Sequence, residues 1–138
     1  MSVRIMIVDD SALVRLTVRQ ILSADPRLSV VHEAPNGQDA LDNLGVVLPH
    51  LIILDIEMPV MDGLTFLKHV RLRSKAKVII LSSVATAGSE KAAEARALGA
   101  DAVIAKPSGA VSLDLAEKRG SMLLRAIKTL CPPEESSS

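Results

Sequence analysis

The sequence predicts an α/β protein in which five parallel strands alternate strictly with five helices. Short aliphatic runs at 3–8, 28–34, 51–54, 78–81 and 102–105 are each followed by polar or turn residues, as strands are. Between them, apolar residues recur at helical spacing. The apolar content is 49%, almost all of it aliphatic, with Phe66 the only aromatic residue. That composition suits strands buried on both faces under helices. A chain of 138 residues is long enough for one domain with a sizeable core.

Strand one, 3–8, stops at Asp9–Asp10, and Ser11 is placed to cap a first helix with Val14, Val18, Ile21 and Leu22 on its inner face. Asp25–Pro26 closes that helix, because proline disfavours helical geometry in the residue before it. The second strand, 28–34, is more polar. Ser29, His32 and Glu33 suit a sheet edge, where charge discourages unwanted pairing. Asn36–Gly37 opens a helix carrying Leu41, Leu44 and Leu48, which Pro49 ends.

Asp55 follows the wholly apolar strand 51–54 at once, and a turn-rich loop with Pro59, Asp62 and Gly63 leads to a helix bearing Leu64, Leu67 and Val70. The fourth strand, 78–81, ends at Ser82–Ser83. An alanine- and charge-rich helix is expected over about 89–98, with Gly99 as its C-terminal cap. The fifth strand, 102–105, ends at Lys106–Pro107, and a last helix is expected over roughly 115–130, weakened at Gly120. The expected domain spans 1–131, and 132–138 (PPEESSS) is expected to begin a linker or disordered tail.

Sixteen basic residues balance sixteen acidic ones, and one aromatic offers little for base stacking, so nucleic acid is not an expected partner. Arg4 and Asp9–Asp10 break any signal-peptide pattern, and no apolar stretch reaches bilayer length. The expected location is cytoplasmic, with no membrane partner. The single cysteine, Cys131, excludes an internal disulfide and reads as a half-buried packing residue.

A five-stranded parallel sheet with right-handed crossovers brings every strand's C-terminal end to one edge, where open α/β sheets bind ligands. Asp9, Asp10, Asp55, Ser82 and Lys106 all fall there. Three carboxylates drawn together repel, and Mg²⁺ resolves the conflict: it takes oxygen ligands, including one or two carboxylates. Asp10 and Asp55 would bind directly, Asp9 through water, and a main-chain carbonyl at Glu57 would complete the protein share. A cation, the Lys106 charge and the Ser82 hydroxyl are what a transferring phosphoryl group requires. Asp55, leaving the most buried strand, is the candidate nucleophile for an aspartyl phosphate.

Taken singly, each residue has a plainer explanation. Asp9–Asp10 complements a helix dipole, Asp55 begins a loop, Ser82–Ser83 are loop residues and Lys106–Pro107 is a turn. Their meeting at one edge outweighs those explanations. His32, His50 and His69 lack metal-ligand spacing, and Met58 and Met61 read as packing residues. No GxxxxGK[ST] or GxSxG motif occurs, which argues against a nucleotide phosphate loop or a serine-hydrolase elbow.

The strings IMIVDDSALVR (5–15), LDIEMPVMDGLTFL (54–67), LSS (81–83) and ALGADAVIAKP (97–107) resemble response-regulator receiver domains over essentially the whole folded chain. The resemblance implies the flavodoxin-like (βα)₅ three-layer sandwich with sheet order 2-1-3-4-5. It implies Asp55 as phosphoacceptor, Asp9 and Asp10 as the acidic metal pair, and Glu57 as a main-chain contact to metal and phosphoryl group. By the same resemblance Ser82 and Lys106 are the switch hydroxyl and the lysine, with the Ser83 N–H beside the phosphate and a cis Lys106–Pro107 bond. The implied donor is a phosphohistidine on a kinase.

With KPSGAVSLDL (106–115), the chain further resembles the regulatory half of the chemotaxis protein-glutamate methylesterases, CheB, whose kinase is CheA. That implies a C-terminal effector domain beyond 138. A stand-alone CheY-like receiver acting on a partner protein is the alternative, and an FMN-binding flavodoxin relative is a third reading, opposed by two aspartates where a phosphate loop belongs. The receiver would itself be no enzyme beyond self-catalysed phosphotransfer and slow autodephosphorylation. One position departs from the family: Val103, three residues before Lys106, stands where Tyr or Phe is usual. An aromatic rotamer swing is therefore absent from the expected relay.

Overall fold

The structure is a computed structural model and describes residues 3–56, 63–82, 90–106 and 113–131. Its elements run β1 (Val3–Val8), α1 (Ala12–Leu22), β2 (Leu28–Ala34), α2 (Gly37–Val47), β3 (Leu51–Asp55), α3 (Gly63–Arg73), β4 (Lys77–Ser82), α4 (Glu90–Ala97), β5 (Ala102–Ala105) and α5 (Leu113–Leu130). The strands form one parallel sheet in the order β2-β1-β3-β4-β5. The expected alternation and strand order are both present, and the polar strand β2 lies at an edge, as read from Ser29, His32 and Glu33.

Two apolar layers sandwich the sheet. On one face Ile5, Ile7, Ile53 and Ile79 pack under Val14, Val18 and Leu22 of α1 and Leu123 and Ile127 of α5. On the other, Met6, Val8, Ile52, Leu54 and Ile80 pack under Leu41 and Leu44 of α2, Phe66, Leu67 and Val70 of α3, and Ala95 of α4. Alternate strand residues thus serve opposite layers. All five residues of β3 are buried, because it lies in mid-sheet with helices on both sides.

Local signals explain most ends. Ser11 Oγ accepts from the Val14 N–H at 3.2 Å, and Asn36 Oδ1 from the Asp39 N–H at 2.8 Å, so both helices carry an N-cap side chain. Gly99, at φ 109°, closes α4, while the Ala100 N–H donates back to the Ala95 carbonyl at 3.0 Å. A Cβ at Gly99 would stand 2.8 Å from Arg71 Cδ, so a larger residue there would also have to displace that side chain.

Three expectations need correction. Leu48 is not part of the inner stripe of α2. It is the C-cap at φ 50°, ψ 62° and is 65% exposed, because the turn into Pro49 swings it off the buried face. β3 and β4 each run one residue further than expected at their C-terminal ends, so Asp55 and Ser82 are themselves strand residues. α5 begins at Leu113 rather than near 115. The helix expected through Gly120 is continuous, and the bare Cα of Gly120 is where α5 lies against Ile21 of α1.

An alanine Cβ there would meet Ile21 at 3.4 Å, an ordinary contact. Gly120→Ala is therefore expected to stabilise the domain by about 0.5–1 kcal/mol through helix propensity. Gly120→Leu is expected to destabilise it by overpacking. Urea unfolding of the two variants checks both signs.

Among the described residues, no helix is long and apolar enough to cross a membrane. Cys131 is half-buried beside the α1/α5 layer and, as read, behaves as a packing residue; burial pushes its thiol above the usual range.

Candidate functional site

Four of the five strand ends, those of β1, β3, β4 and β5, contribute side chains to the candidate site. Just past the end of β1, the Asp9 N–H donates to the carbonyl of Ala34, the last residue of β2, at 3.0 Å. The Asp9 carboxylate turns back, and its Oδ1 accepts the Ser11 N–H at 2.8 Å. Asp9 is therefore both a strand terminator and a partner of the first helical turn, which holds it in a buried position, 1% exposed. Asp10, the next residue, is exposed. Asp55 ends β3, is 1% exposed, and pairs in register with Leu81 of β4. One residue further along β4, Ser82 is fully buried.

Carboxylate oxygens of Asp9, Asp10 and Asp55 lie within 4.8 Å of one another. At an effective dielectric near 20, each like-charge pair at that separation costs about 3–4 kcal/mol. Lys106 offsets part of this. Its Nζ lies 3.1 Å from Asp55 Oδ1, and its N–H donates to the Ser82 carbonyl at 2.9 Å, which sets the side chain at the end of β5. Three carboxylates against one ammonium leave a formal charge of −2.

The titration of these groups records the conflict. Burial raises the Asp9 carboxyl from 3.8 to about 6; the Ser11 N–H and Lys106 oppose the rise, and the Asp55 and Asp10 charges add to it. Partial burial pulls the Lys106 ammonium down, but the carboxylates of Asp55, Asp9 and Asp10, Asp55 foremost, together reverse this and hold it above the usual lysine value. Among the described residues, Asp9 Oδ2 and Ser82 Oγ are buried without a hydrogen-bond partner. Such orphaned oxygens, beside a surplus of negative charge, fit a hard divalent cation and a group with further oxygens to bind.

The structure thus brings together Asp9, Asp10 and Asp55, with Lys106 on Asp55 and Ser82 at the neighbouring strand end. Val103 pairs with Ile80 one turn of pleat back from this edge and packs, half-buried, against the layer that α2, α3 and α4 cover. Glu57, Ser83 and Pro107 lie outside the described residues, as do Met58, Met61 and 132–138. His32 bonds Asp39 Oδ1 through Nε2 at 2.7 Å, and His50 Nδ1 accepts the Arg4 N–H at 3.0 Å; neither belongs to the acid cluster.

Two arginines went unread in the sequence. Arg15 Nη1 donates to the Asp9 carbonyl at 2.6 Å, and Arg119 Nη1 to the Lys106 carbonyl at 3.1 Å. Each comes from a helix on the α1/α5 face and grips the main chain of a site residue. Their positions on otherwise amphipathic helices carry no signal by themselves; only the approach of helix to strand end reveals them.

The response regulator receiver domain family matches residues 5–117, and the chain belongs to it. The fold, the acid cluster and the lysine at the C-terminal sheet edge define a receiver, the regulatory module of that family.

Within it, the likeness is to chemotaxis proteins. The chain is 43% identical over 121 residues to the protein-glutamate methylesterase/protein-glutamine glutaminase of Halalkalibacterium halodurans, covering 88% of this chain and 35% of the relative. It is 47% identical over 105 residues to methylesterase/glutaminase 5 of Anaeromyxobacter dehalogenans, covering 76% and 29%. The chain thus spans about a third of the length of these curated relatives.

Among solved structures, the response regulator domain of Thermotoga maritima CheB superposes with a TM-score of 0.81 at 31% identity, covering 94% of this chain and 97% of that one. A structure of the P1 domain of CheA3 in complex with CheY6 from R. sphaeroides matches with a TM-score of 0.78 at 49% identity, covering 96% and 100%.

Proposed function

We propose that this receiver accepts a phosphoryl group on Asp55 from a phosphohistidine of a CheA-like kinase in the cytoplasm, and thereby switches a chemotaxis output. The observation that carries the reading is the 3.1 Å contact of Lys106 Nζ with Asp55 inside a cluster of three carboxylates at the C-terminal sheet edge. An ordinary ion pair has no use for two further acids, one of them buried at 1% exposure. A phosphoryl-transfer site has, because charge must be neutralised while the nucleophile is held in place.

Asp9, Asp10 and Asp55 would hold Mg²⁺, with the Glu57 carbonyl. Bound there, the ion neutralises the carboxylates and the oxygens of the incoming phosphoryl group. Asp55 attacks phosphorus through a carboxylate oxygen; the new O–P bond forms as the N–P bond breaks, and the electron pair returns to the imidazole nitrogen. Lys106 exchanges part of its contact with Asp55 for the phosphoryl oxygens. The Ser82 hydroxyl and the Ser83 N–H donate to those oxygens, drawing the segment before α4 toward the site and biasing a two-state equilibrium. The α4–β5 face is the output surface, and with Val103 in place of an aromatic the change passes through main-chain movement and packing.

The receiver acts as a regulatory domain, without turnover of an outside substrate. The methylesterase relatives support an effector domain of that kind as the output. The full coverage of the CheY6 structure supports a stand-alone receiver as the second reading. A native gene product about three times the 14.6 kDa of this chain decides for the first, and one near 14.6 kDa for the second.

The phosphoryl site is tested with acetyl phosphate. Wild type is expected to incorporate label only with Mg²⁺, and Asp55→Asn to incorporate none. Equal labelling of Asp55→Asn would show that the phosphoacceptor lies elsewhere.

A further inference from the structure

Asp9 is pinned at three points, and two of them are to main-chain groups: its N–H on the Ala34 carbonyl of β2 and its Oδ1 on the Ser11 N–H. The third is the carbonyl, which Arg15 Nη1 holds at 2.6 Å. That carbonyl begins the peptide that carries Asp10. The orientation of this peptide decides whether the Asp10 carboxylate faces Asp9 and Asp55 or turns to solvent, to which Asp10 is otherwise exposed.

Arg15 is itself held. Its Nε lies 3.6 Å from Glu33 Oε1, and Glu33 Oε2 receives Arg19 Nη1 at 3.2 Å. The Arg15 side chain is 18% exposed and Glu33 26%, so the pair is partly withdrawn from water. A guanidinium can serve a carboxylate and a carbonyl at once because its donors form a rigid fork, which an ammonium cannot reproduce. Glu33, read from the sequence as an edge-strand charge, therefore also braces the arginine.

From this chain of contacts we infer that Arg15 is a positioning residue: braced by Glu33, it fixes the Asp9–Asp10 peptide so that both carboxylates converge with Asp55 on a divalent cation. The inference rests on the cation-binding reading of the acid cluster proposed above. It makes a prediction opposite in sign to simple electrostatics. Removing a positive charge beside three carboxylates should tighten cation binding by Coulomb attraction alone. Loss of positioning weakens it, as loss of an outer support of a metal site does, by about tenfold.

The experiment is Mg²⁺ titration of the whole chain, followed by calorimetry and by the metal-induced rise in Tm, with metal-free Tm recorded alongside. Arg15→Ala is expected to raise the Mg²⁺ Kd about tenfold. Arg15→Lys keeps the charge but loses the fork and is expected to follow the alanine variant. Glu33→Gln, which leaves Arg15 in place but weakens its brace, is expected to shift Kd the same way and by less than Arg15→Ala. If Arg15→Ala folds poorly, the lysine and Glu33 variants give the same readout.

An Arg15→Ala protein that binds Mg²⁺ as tightly as wild type, or more tightly, overturns the positioning role while leaving the cation site intact. The same holds if only metal-free Tm falls. A wild type without any Mg²⁺ response overturns the cation site itself, and the positioning role with it.

Discussion

Asp9→Asn is expected to stabilise the metal-free domain by about 2–3 kcal/mol at pH 7. Burial has raised the Asp9 carboxyl from 3.8 to about 6. The folded protein therefore binds a proton more tightly than the unfolded chain does. The stability this contributes is fully present below about pH 4 and is lost as pH rises through about 6. At pH 7 the folded state carries the ionised acid at its full cost. Asparagine removes the charge, and its side-chain oxygen can still accept the Ser11 N–H that Asp9 Oδ1 accepts at 2.8 Å.

Urea unfolding with a chelator between pH 4 and 8 measures the effect. Wild type should lose stability across pH 4–6 relative to Asp9→Asn, and the two curves should converge at the acid end. In wild type, added Mg²⁺ should restore stability at pH 7 by mass action; in Asp9→Asn it should restore much less. Parallel curves from pH 4 to 8 would show that Asp9 carries no such burden.

Lys106→Met has the opposite sign. Asp55, 1% exposed, would keep its burial and lose the ammonium 3.1 Å away, with Asp9 and Asp10 still close. Breaking an enclosed pair from one side costs roughly 3–5 kcal/mol, and the partial exposure of Lys106 lowers this to about 2–4. Phosphoryl uptake from acetyl phosphate should fall by at least about a hundredfold, the usual scale for losing one aligned charge or donor.

The double variant Lys106→Met/Asp55→Asn separates the causes. With no charge left on residue 55, the methionine should cost little, and the cycle should show a coupling of about 2 kcal/mol. Additive costs would mean that the methionine merely packs badly. The sign with pH is also set. Lys106 is held above its ordinary 10.5, so its contribution is present throughout neutral pH and is lost only as pH rises past that folded value.

Much of this is legible in the sequence. The strand cores 51–54 and 78–81 announce themselves because burial on both faces admits only aliphatic residues, and Ser11, Asn36 and Gly99 mark helix ends through local bonding and φ. Asp55 and Lys106 could be placed at one edge because parallel topology leaves no other arrangement. Leu48 was misread because a leucine at helical spacing looks like core until the turn geometry is known. Gly120 weakens the helix signal in sequence, and only its neighbour Ile21 shows why a glycine stands there.

What the sequence determined by itself is the local and periodic part: the order of strands and helices, the inward faces, and the identity of the acids, the serine and the lysine at the strand ends. What only the tertiary structure decided is distance and company. Lys106 and Asp55 are separated by more than a third of the chain, and their 3.1 Å contact exists because β3, β4 and β5 lie side by side. The strain on Asp9 exists because burial withholds water from it among other acids. Arg15 and Arg119 acquire a role only where their helices pass the ends of β1 and β5. Chain neighbours reveal propensity, whereas electrostatics acts through space, and space is set only once the sheet has assembled.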